Sequence, residues 1–244
     1  MKASIKNQTV LIIACLFFAT ETYAQWGKAI KGNGNLTTVT RSISDYDGIS
    51  CAGSFDYILV EGSEGNITIE GEENLMEYII TEVKENTLIV KVKDRTNLKT
   101  SLKKSIKITI PFKDIDKVSL AGSGDLWNND VIATNHLEVN LAGSGDVVLQ
   151  VETETLKSAL SGSGDLSLKG QTHDLEANIA GSGDFHGFEL QSNNTEVSVS
   201  GSGNAEVVST ENIVAKVAGS GDIVYKGNPK TEDTKVAGSG SIRQ

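Results

Sequence analysis

The tetrapeptide Gly-Ser-Gly-Asp recurs through the second half of this chain at a nearly constant interval. It stands at 122–125, 143–146, 162–165, 181–184 and 219–222, as Gly-Ser-Gly-Asn at 201–204 and as Gly-Ser-Gly-Ser at 238–241. Successive first glycines are 18 to 21 residues apart. A period of this kind means one small structural unit stacked many times, each copy burying its apolar face on its neighbours.

Aligning the units on their first glycine exposes alternating columns. Two positions before it stand Leu120, Leu141, Leu160, Ile179, Val199, Val217 and Val236. Four positions before it stand Val118, Val139, Ser158, Ala177, Val197, Ala215 and Thr234. Four positions after it stand Leu126, Val147, Leu166, Phe185, Ala205, Ile223 and Ile242. The residues between them are polar or small. This period of two predicts strands with one buried face. Carried through the motif, the same parity turns both glycines inward and Ser and Asp outward, at a corner where glycine tolerates φ > 0. About 19 residues are too few for a strand plus a crossover helix, and no stretch shows helical spacing. The unit fits one coil of a β-solenoid, with neighbouring coils paired in parallel at roughly 4.8 Å. A repeated β-hairpin array is the alternative; a propeller blade needs about 40 residues.

The N-terminus reads as an export signal, residues 1–24. Lys2 and Lys6 precede an apolar run from Val10 to Ala19, and Thr22-Tyr23-Ala24 supplies small residues for a cut before Gln25. The run is too short to span a bilayer. Lipid attachment at Cys15 is the competing reading. After cleavage Cys51 is the sole cysteine, which excludes an intramolecular disulfide and reads as a buried core thiol. A net charge of −10 argues against nucleic acid and anionic membranes as partners. Aromatic residues are 5% of the chain, few for a sugar-stacking cleft, and neither proline falls inside a run that reads as strand.

Residues 25–35, rich in glycine and lysine, read as a flexible lead-in. Residues 36–115 carry strand patterns without the period, at 54–60, 66–71, 87–92 and 105–110, and form an irregular β part that caps the solenoid of 116–244. Glu72–Tyr78 reads as a short helix or turn. Ala52-Gly53-Ser54-Phe55-Asp56 echoes the motif, so a diverged coil begins near residue 51. The basic stretch 93–104 reads as a solvated loop, with a partner-binding loop as its alternative.

These elements together resemble a family of secreted bacterial proteins, the putative autotransporter adhesin, head GIN domain family. The resemblance rests on Val39–Ile49, Phe55–Val60, Glu73–Leu75, Leu88–Val90, Val118–Asp125 and the later Gly-Ser-Gly-Asp units, and covers roughly residues 36–244. It implies a right-handed, single-stranded parallel β-helix in an exported, Bacteroidetes-type protein, and no catalytic residues. The sequence reads as unlike a self-exporting autotransporter, with no barrel-forming translocator expected after the repeats.

Stacking would place Asp125, Asp146, Asp165 and Asp184 in one column, with Asn204 interrupting it before Asp222. Carboxylates about 4.8 Å apart repel by on the order of 1 kcal/mol even in water, so the column needs compensation. Two readings follow. Each Asp accepts a hydrogen bond from its own turn, which Asn and Ser could also do. Alternatively the five aspartates hold calcium, as Gly-x-Gly-x-Asp repeats of shorter period do. No other cofactor is expected. His136, His173 and His186 fall in different columns, which opposes a zinc cluster and places each on a loop or surface. The carboxylates recur along the chain and do not converge, so the expected function is a non-catalytic, exported surface or envelope module. Its expected location is the periplasm, the outer membrane surface or the exterior, with no membrane span in the mature chain. Candidate partners are a glycan, an envelope protein, or a second copy through the open C-terminal edge. The competing function is a carbohydrate-active β-helix enzyme, either a polysaccharide lyase or a hydrolase.

Overall fold

Each alternating column becomes one row of a stacked ladder. The computed structural model describes residues 28–101 and 104–244; the export signal and Cys15 lie outside the described residues. The protein is a β-solenoid of stacked parallel coils of about 19 residues, roughly seven turns in all. Among the described residues no helix is long and apolar enough to cross a membrane.

In chain order the first strands are β1 (Lys28–Lys31), β2 (Leu36–Ser42), β3 (Gly48–Gly53) and β4 (Asp56–Glu61). There follow β5 (Asn66–Glu72), a 3-10 helix (Glu73–Tyr78), β6 (Ile79–Lys84), β7 (Thr87–Val92), β8 (Thr96–Lys99) and β9 (Lys107–Phe112). The coils continue as β10 (Lys117–Gly122), β11 (Leu126–Asn128), β12 (Ile132–Gly143), β13 (Val147–Gly162), β14 (Leu166–Gly181) and β15 (Phe185–Gly201). Last come β16 (Ala205–Val208), β17 (Asn212–Gly219), β18 (Ile223–Lys226), β19 (Thr231–Gly238) and β20 (Ile242–Arg243).

The first coil starts before the first full motif. β3 pairs in parallel with β10, aligning Gly53 with Gly122, and β4 pairs in parallel with β11. Residues 62–115 are therefore an excursion out of the first coil. The excursion adds one more layer beneath it, because β7 pairs in parallel with β3 and β9 with β4. Beyond that layer the direction reverses. β6 pairs antiparallel with β7, β2 with β5, and β5 with β9. The β6–β7 hairpin turns at Glu85 and Asn86, both at positive φ (49° and 58°), the geometry a two-residue primed turn requires.

Local differences from the sequence reading have plain causes. Lys28–Lys31, within the expected lead-in, pairs in parallel with Thr96–Lys99, within the expected basic loop. Pro111 lies inside β9 opposite Val60, at the end of the strand that β5 does not reach, where no second neighbour needs an N–H. The Arg41 guanidinium donates to the carbonyls of Met76 (2.6 Å) and Ile79 (2.5 Å), satisfying the end of the 3-10 helix.

The predicted inward columns are buried through the coil that ends at Gly219, whereas Thr234 and Val236 of the last coil are exposed. Leu120, Leu141, Leu160, Ile179, Val199 and Val217 belong to one apolar core, as do Leu126, Val147, Leu166, Phe185, Ala205 and Ile223. Each large member contributes about 1.5–3 kcal/mol through removal from water. Cys51 is buried in this core, and burial pushes its thiol pKa well up, as a structural cysteine requires.

The corner explains the motif. The Gly122 carbonyl accepts the N–H groups of both Ser144 (2.8 Å) and Gly145 (3.1 Å) in the next coil. The same double acceptance recurs at Gly143, Gly162, Gly181, Gly201 and Gly219. The first glycines hold φ between 127° and 142° from Gly122 to Gly238, a region closed to other residues. A Cβ on Gly145 would overlap the Gly124 carbonyl oxygen and come within 2.9 Å of its carbon. Both glycines are thus required by the distance between coils.

A second polar node fastens β1 and β8 to the body. Glu72 is fully buried. Its carboxylate accepts from Gly34 N–H (2.6 Å), Ser101 N–H (2.8 Å) and Ser101 Oγ (2.7 Å), and these bonds hold its pKa below the ordinary value. Gly32 has no room for a side chain beside it.

Two outcomes are expected. Gly145→Ala should lower the free energy of unfolding in urea by about 2–4 kcal/mol, whereas Gly62→Ala should change it by less than about 1 kcal/mol. The nearest atom to a Cβ on Gly62 is 3.6 Å away. Equal effects would refute the corner as a packing constraint. Because the Glu72 pKa is depressed on folding, its contribution is present above the unfolded carboxylate value and is lost as pH falls through the folded one. Melting temperature should therefore drop on acidification below about pH 4.5. Glu72→Gln, which places an amide donor against an N–H, should be less stable at neutral pH and show a shallower acid dependence.

Candidate functional site

The aspartates do form a column, and their bonding differs from the own-turn reading. Asp125 Oδ1 accepts the N–H of Asp146 (3.2 Å), Asp146 Oδ1 that of Asp165 (3.0 Å), and Asp165 Oδ1 that of Asp184 (3.0 Å). Asp184 Oδ1 accepts from Asn204 (2.7 Å), Asn204 Oδ1 from Asp222 (3.0 Å), and Asp222 Oδ1 from Ser241 (2.8 Å). Each side chain thus caps the equivalent N–H one coil further on. That N–H is the donor left over after the glycine carbonyl has taken the other two. Asn204 serves because the acceptor is one oxygen and not a charge. The Ser241 hydroxyl donates back to Asp222 (2.8 Å). Those two bonds, with Arg243 nearby, hold the Asp222 pKa below the usual value.

Of the five aspartates that the alternative reading offers to calcium, Asp165 and Asp184 come together with His186, their potential ligand atoms all within 4.8 Å of one another. The histidines themselves do not gather. His186 reaches this cluster because it stands two residues after Asp184 on the same outward side. Its Nδ1 also lies 3.5 Å from Glu206 Oε2. An Asp/Asp/His set matches the donors of borderline transition-metal ions more closely than the all-oxygen shell of calcium.

Beside the column runs an open groove across successive coils. Its row is Trp127, Val148, Ser167, His186 and Glu206, each in register with the next. At about 4.8 Å per coil these residues span roughly 19 Å. Two adjoining depressions make the groove and share Val148 and Lys169. Asp125 and Asp146 line one end; Phe188, Glu189 and Glu206 line the other.

A single irregularity shapes the far end. Ser167 pairs with His186, but Lys169 pairs with Glu189, so Gly187 and Phe188 together oppose Leu168. This β-bulge keeps Leu190 on the buried face and leaves Phe188 and Glu189 outside. A Cβ on Gly187 would sit 2.6 Å from the Phe185 ring and 2.7 Å from the Glu206 carbonyl oxygen, so only glycine fits the bulge. Lys226 Nζ lies 3.7 Å from the centre of the Phe188 ring, a cation–π contact. Few as they are, two aromatic residues stand half-buried along this groove. A separate concave surface, lined by Glu152, Glu154, Gln171, Gln191 and His173 among others, has no Phe, Tyr or Trp in its lining. The sequence does hold a signal for the bulge: the step from Gly181 to Gly201 is one residue longer than the two steps before it.

Comparison with known proteins follows the same geometry. The model of the family described as putative auto-transporter adhesin, head GIN domain, matches residues 45–229. A putative adhesin from Bacteroides fragilis has a similar structure, with a TM-score of 0.81 and 25% identity over 88% of this chain and 99% of that one. A putative lipid binding protein from Parabacteroides distasonis follows at 0.75 and 29%, over 88% and 99%. A putative adhesin from Parabacteroides merdae shares the fold at 0.69 and 24%, over 88% and 98%. No curated protein matches the sequence significantly.

The capping role makes a sharp distinction among substitutions. Asp146→Asn keeps the acceptor and should stay within about 0.5 kcal/mol of the parent, whereas Asp146→Ala strands the Asp165 N–H and should cost about 1 kcal/mol. Thermal or urea unfolding of both variants measures this. If Asn proved as damaging as Ala, the charge and not the acceptor would be what matters.

Proposed function

Because the chain belongs to the putative auto-transporter adhesin, head GIN domain family, we propose that it is a non-catalytic, exported surface module that binds a glycan along the groove from Trp127 to Glu206. The observation that carries this reading is the bulge at Gly187–Phe188. It is the irregularity that turns an aromatic ring out of an otherwise regular ladder, into a groove that already holds Trp127 and Val148. Sugar rings are recognised by apolar faces laid on aromatic or aliphatic side chains, with carboxylates, amides and ammonium groups around the rim taking the hydroxyls. Lys169, Glu189, Glu206 and Lys226 supply that rim, and Asn128 lies at its other end. The charged rim favours a polyhydroxylated ligand over a lipid chain.

Export is supported by the adhesin-type family and by the signal expected at residues 1–24. The names of the family and of its structural relatives support binding over turnover. In this reading the aspartate column is backbone capping. A calcium ion bound there would have to draw on the second oxygens of successive coils, about 4.8 Å apart, against a requirement of six to eight oxygens.

A glycan array probed with the mature protein tests the proposal. Retained glycans should be lost or weakened about tenfold or more by Phe188→Ala, with the melting temperature preserved. Binding that survives this substitution would sink the groove as the site. Release of shorter sugars from a bound glycan, followed by chromatography, would overturn the non-catalytic reading.

A further inference from the structure

The last coil leaves a strand edge that nothing in the described residues covers. β19 pairs in parallel with β17 from Asn212↔Thr231 to Gly219↔Gly238 with no register break, and no strand lies on its other edge among the described residues. Every residue of β19 is exposed. Val236 is 45% exposed, where Val217, its partner one coil back, is 2%. An uncovered, unbulged edge next to exposed apolar surface is a template for another strand.

The charges on this edge choose the partner. Asp233 and Lys235 occupy outward positions, and neither makes a salt bridge in its own chain among the described residues. Lys235 stands in register with Lys216, whose ammonium already pairs with Glu196 at 2.9 Å. It therefore has a like-charged neighbour on one side and an open edge on the other. Glu232 occupies the column of buried Ile213.

We propose that β19 pairs antiparallel with β19 of a second copy of this chain, about a two-fold axis through Thr234. Antiparallel strands of one sheet place inward residues opposite inward ones, so only every second register is allowed. Two of the allowed registers give the greatest overlap. Centred on Lys235, residues 232–238 of each copy pair and Lys235 meets Lys235. Centred on Thr234, residues 231–237 pair and Asp233 meets Lys235 twice. The second register supplies Lys235 with the carboxylate its own chain lacks, and it places Val236 opposite the second copy's Glu232. Closure by a two-fold axis ends the association at a dimer. This pairing does not rest on the glycan reading and stands or falls separately.

Sedimentation equilibrium of the mature chain, over a concentration series reaching the high-micromolar range, tests it. A monomer–dimer equilibrium is expected. Lys235→Glu puts two like-charged pairs across the axis and should weaken the dimer about tenfold or more. Adding Asp233→Lys reverses both charges and should restore it to within about threefold. A parent chain that stays monomeric throughout overturns the proposal. So does a Lys235→Glu variant that dimerises like the parent, or a double variant that fails to recover while its melting temperature is unchanged.

Discussion

A single carbonyl oxygen per coil sets the geometry of everything else. The oxygen of the first motif glycine accepts two N–H groups from the coil above, and this pair of hydrogen bonds forms only if the two backbones come close. That approach excludes a Cβ at both glycine positions. The corner is therefore pinned in three respects: its rise, its register and the direction its flanking residues face. Pinning explains why coils of unequal length can share one ladder. The steps between first glycines vary from 18 to 21 residues, yet the glycines align in unbroken register from Gly53 to Gly238. Extra residues are absorbed away from the corner, in the loop after Asn128 and in the bulge at Gly187–Phe188. Each return to the corner resets the inward and outward parity before the next coil begins.

The same corner solves an electrostatic problem. Three N–H groups per coil arrive there, and the glycine carbonyl takes two. The third, from the Asp position, needs an acceptor at a fixed place, and a short side chain with an oxygen at Oδ1 provides it. Stacked carboxylates repel by on the order of 1 kcal/mol per step. Each is offset by a charge-assisted hydrogen bond of comparable or larger size. Asn204 relieves the repulsion at two steps, toward Asp184 and toward Asp222, without giving up the bond. The column is thus a by-product of hydrogen-bond accounting, and its periodicity is no evidence for a ligand of matching period.

How far the sequence reveals this depends on whether the information is local. Inward and outward columns are legible because strand parity is a local property, and residues such as Leu141 and Leu160 are buried as the alternation requires. The Asp bond is not legible as to direction, since a period of 19 cannot say whether an acceptor serves its own turn or the next coil. The echo at Ala52–Asp56 does mark the first coil, even though Phe55 replaces the second glycine; it can do so because no Gly-Gly contact is needed beneath it. What no pattern announces is the layer built by β7 and β9, because it pairs across an excursion that carries no motif. His186 was hidden for another reason. Comparing histidines only with one another misses a histidine that shares an outward side with Asp184 two residues earlier.

Regularity and irregularity divide the labour in this molecule. The ladder is held by backbone bonds and inward side chains, so outward positions can change at little cost in stability. They can therefore be given over to recognition, and the departures from regularity are what distinguish one stretch of surface from another. Three such departures stand out. One residue too many at Gly187–Phe188 lifts an aromatic ring into the groove. A carboxylate, Glu232, sits in an apolar column of the last coil. A serine takes the place of the acceptor at Ser241, where it donates back to Asp222 and, among the described residues, receives no N–H from a further coil. Two of the three lie in the last coil, whose outer edge no strand covers among the described residues, and there an exposed substitution costs the core beneath it little.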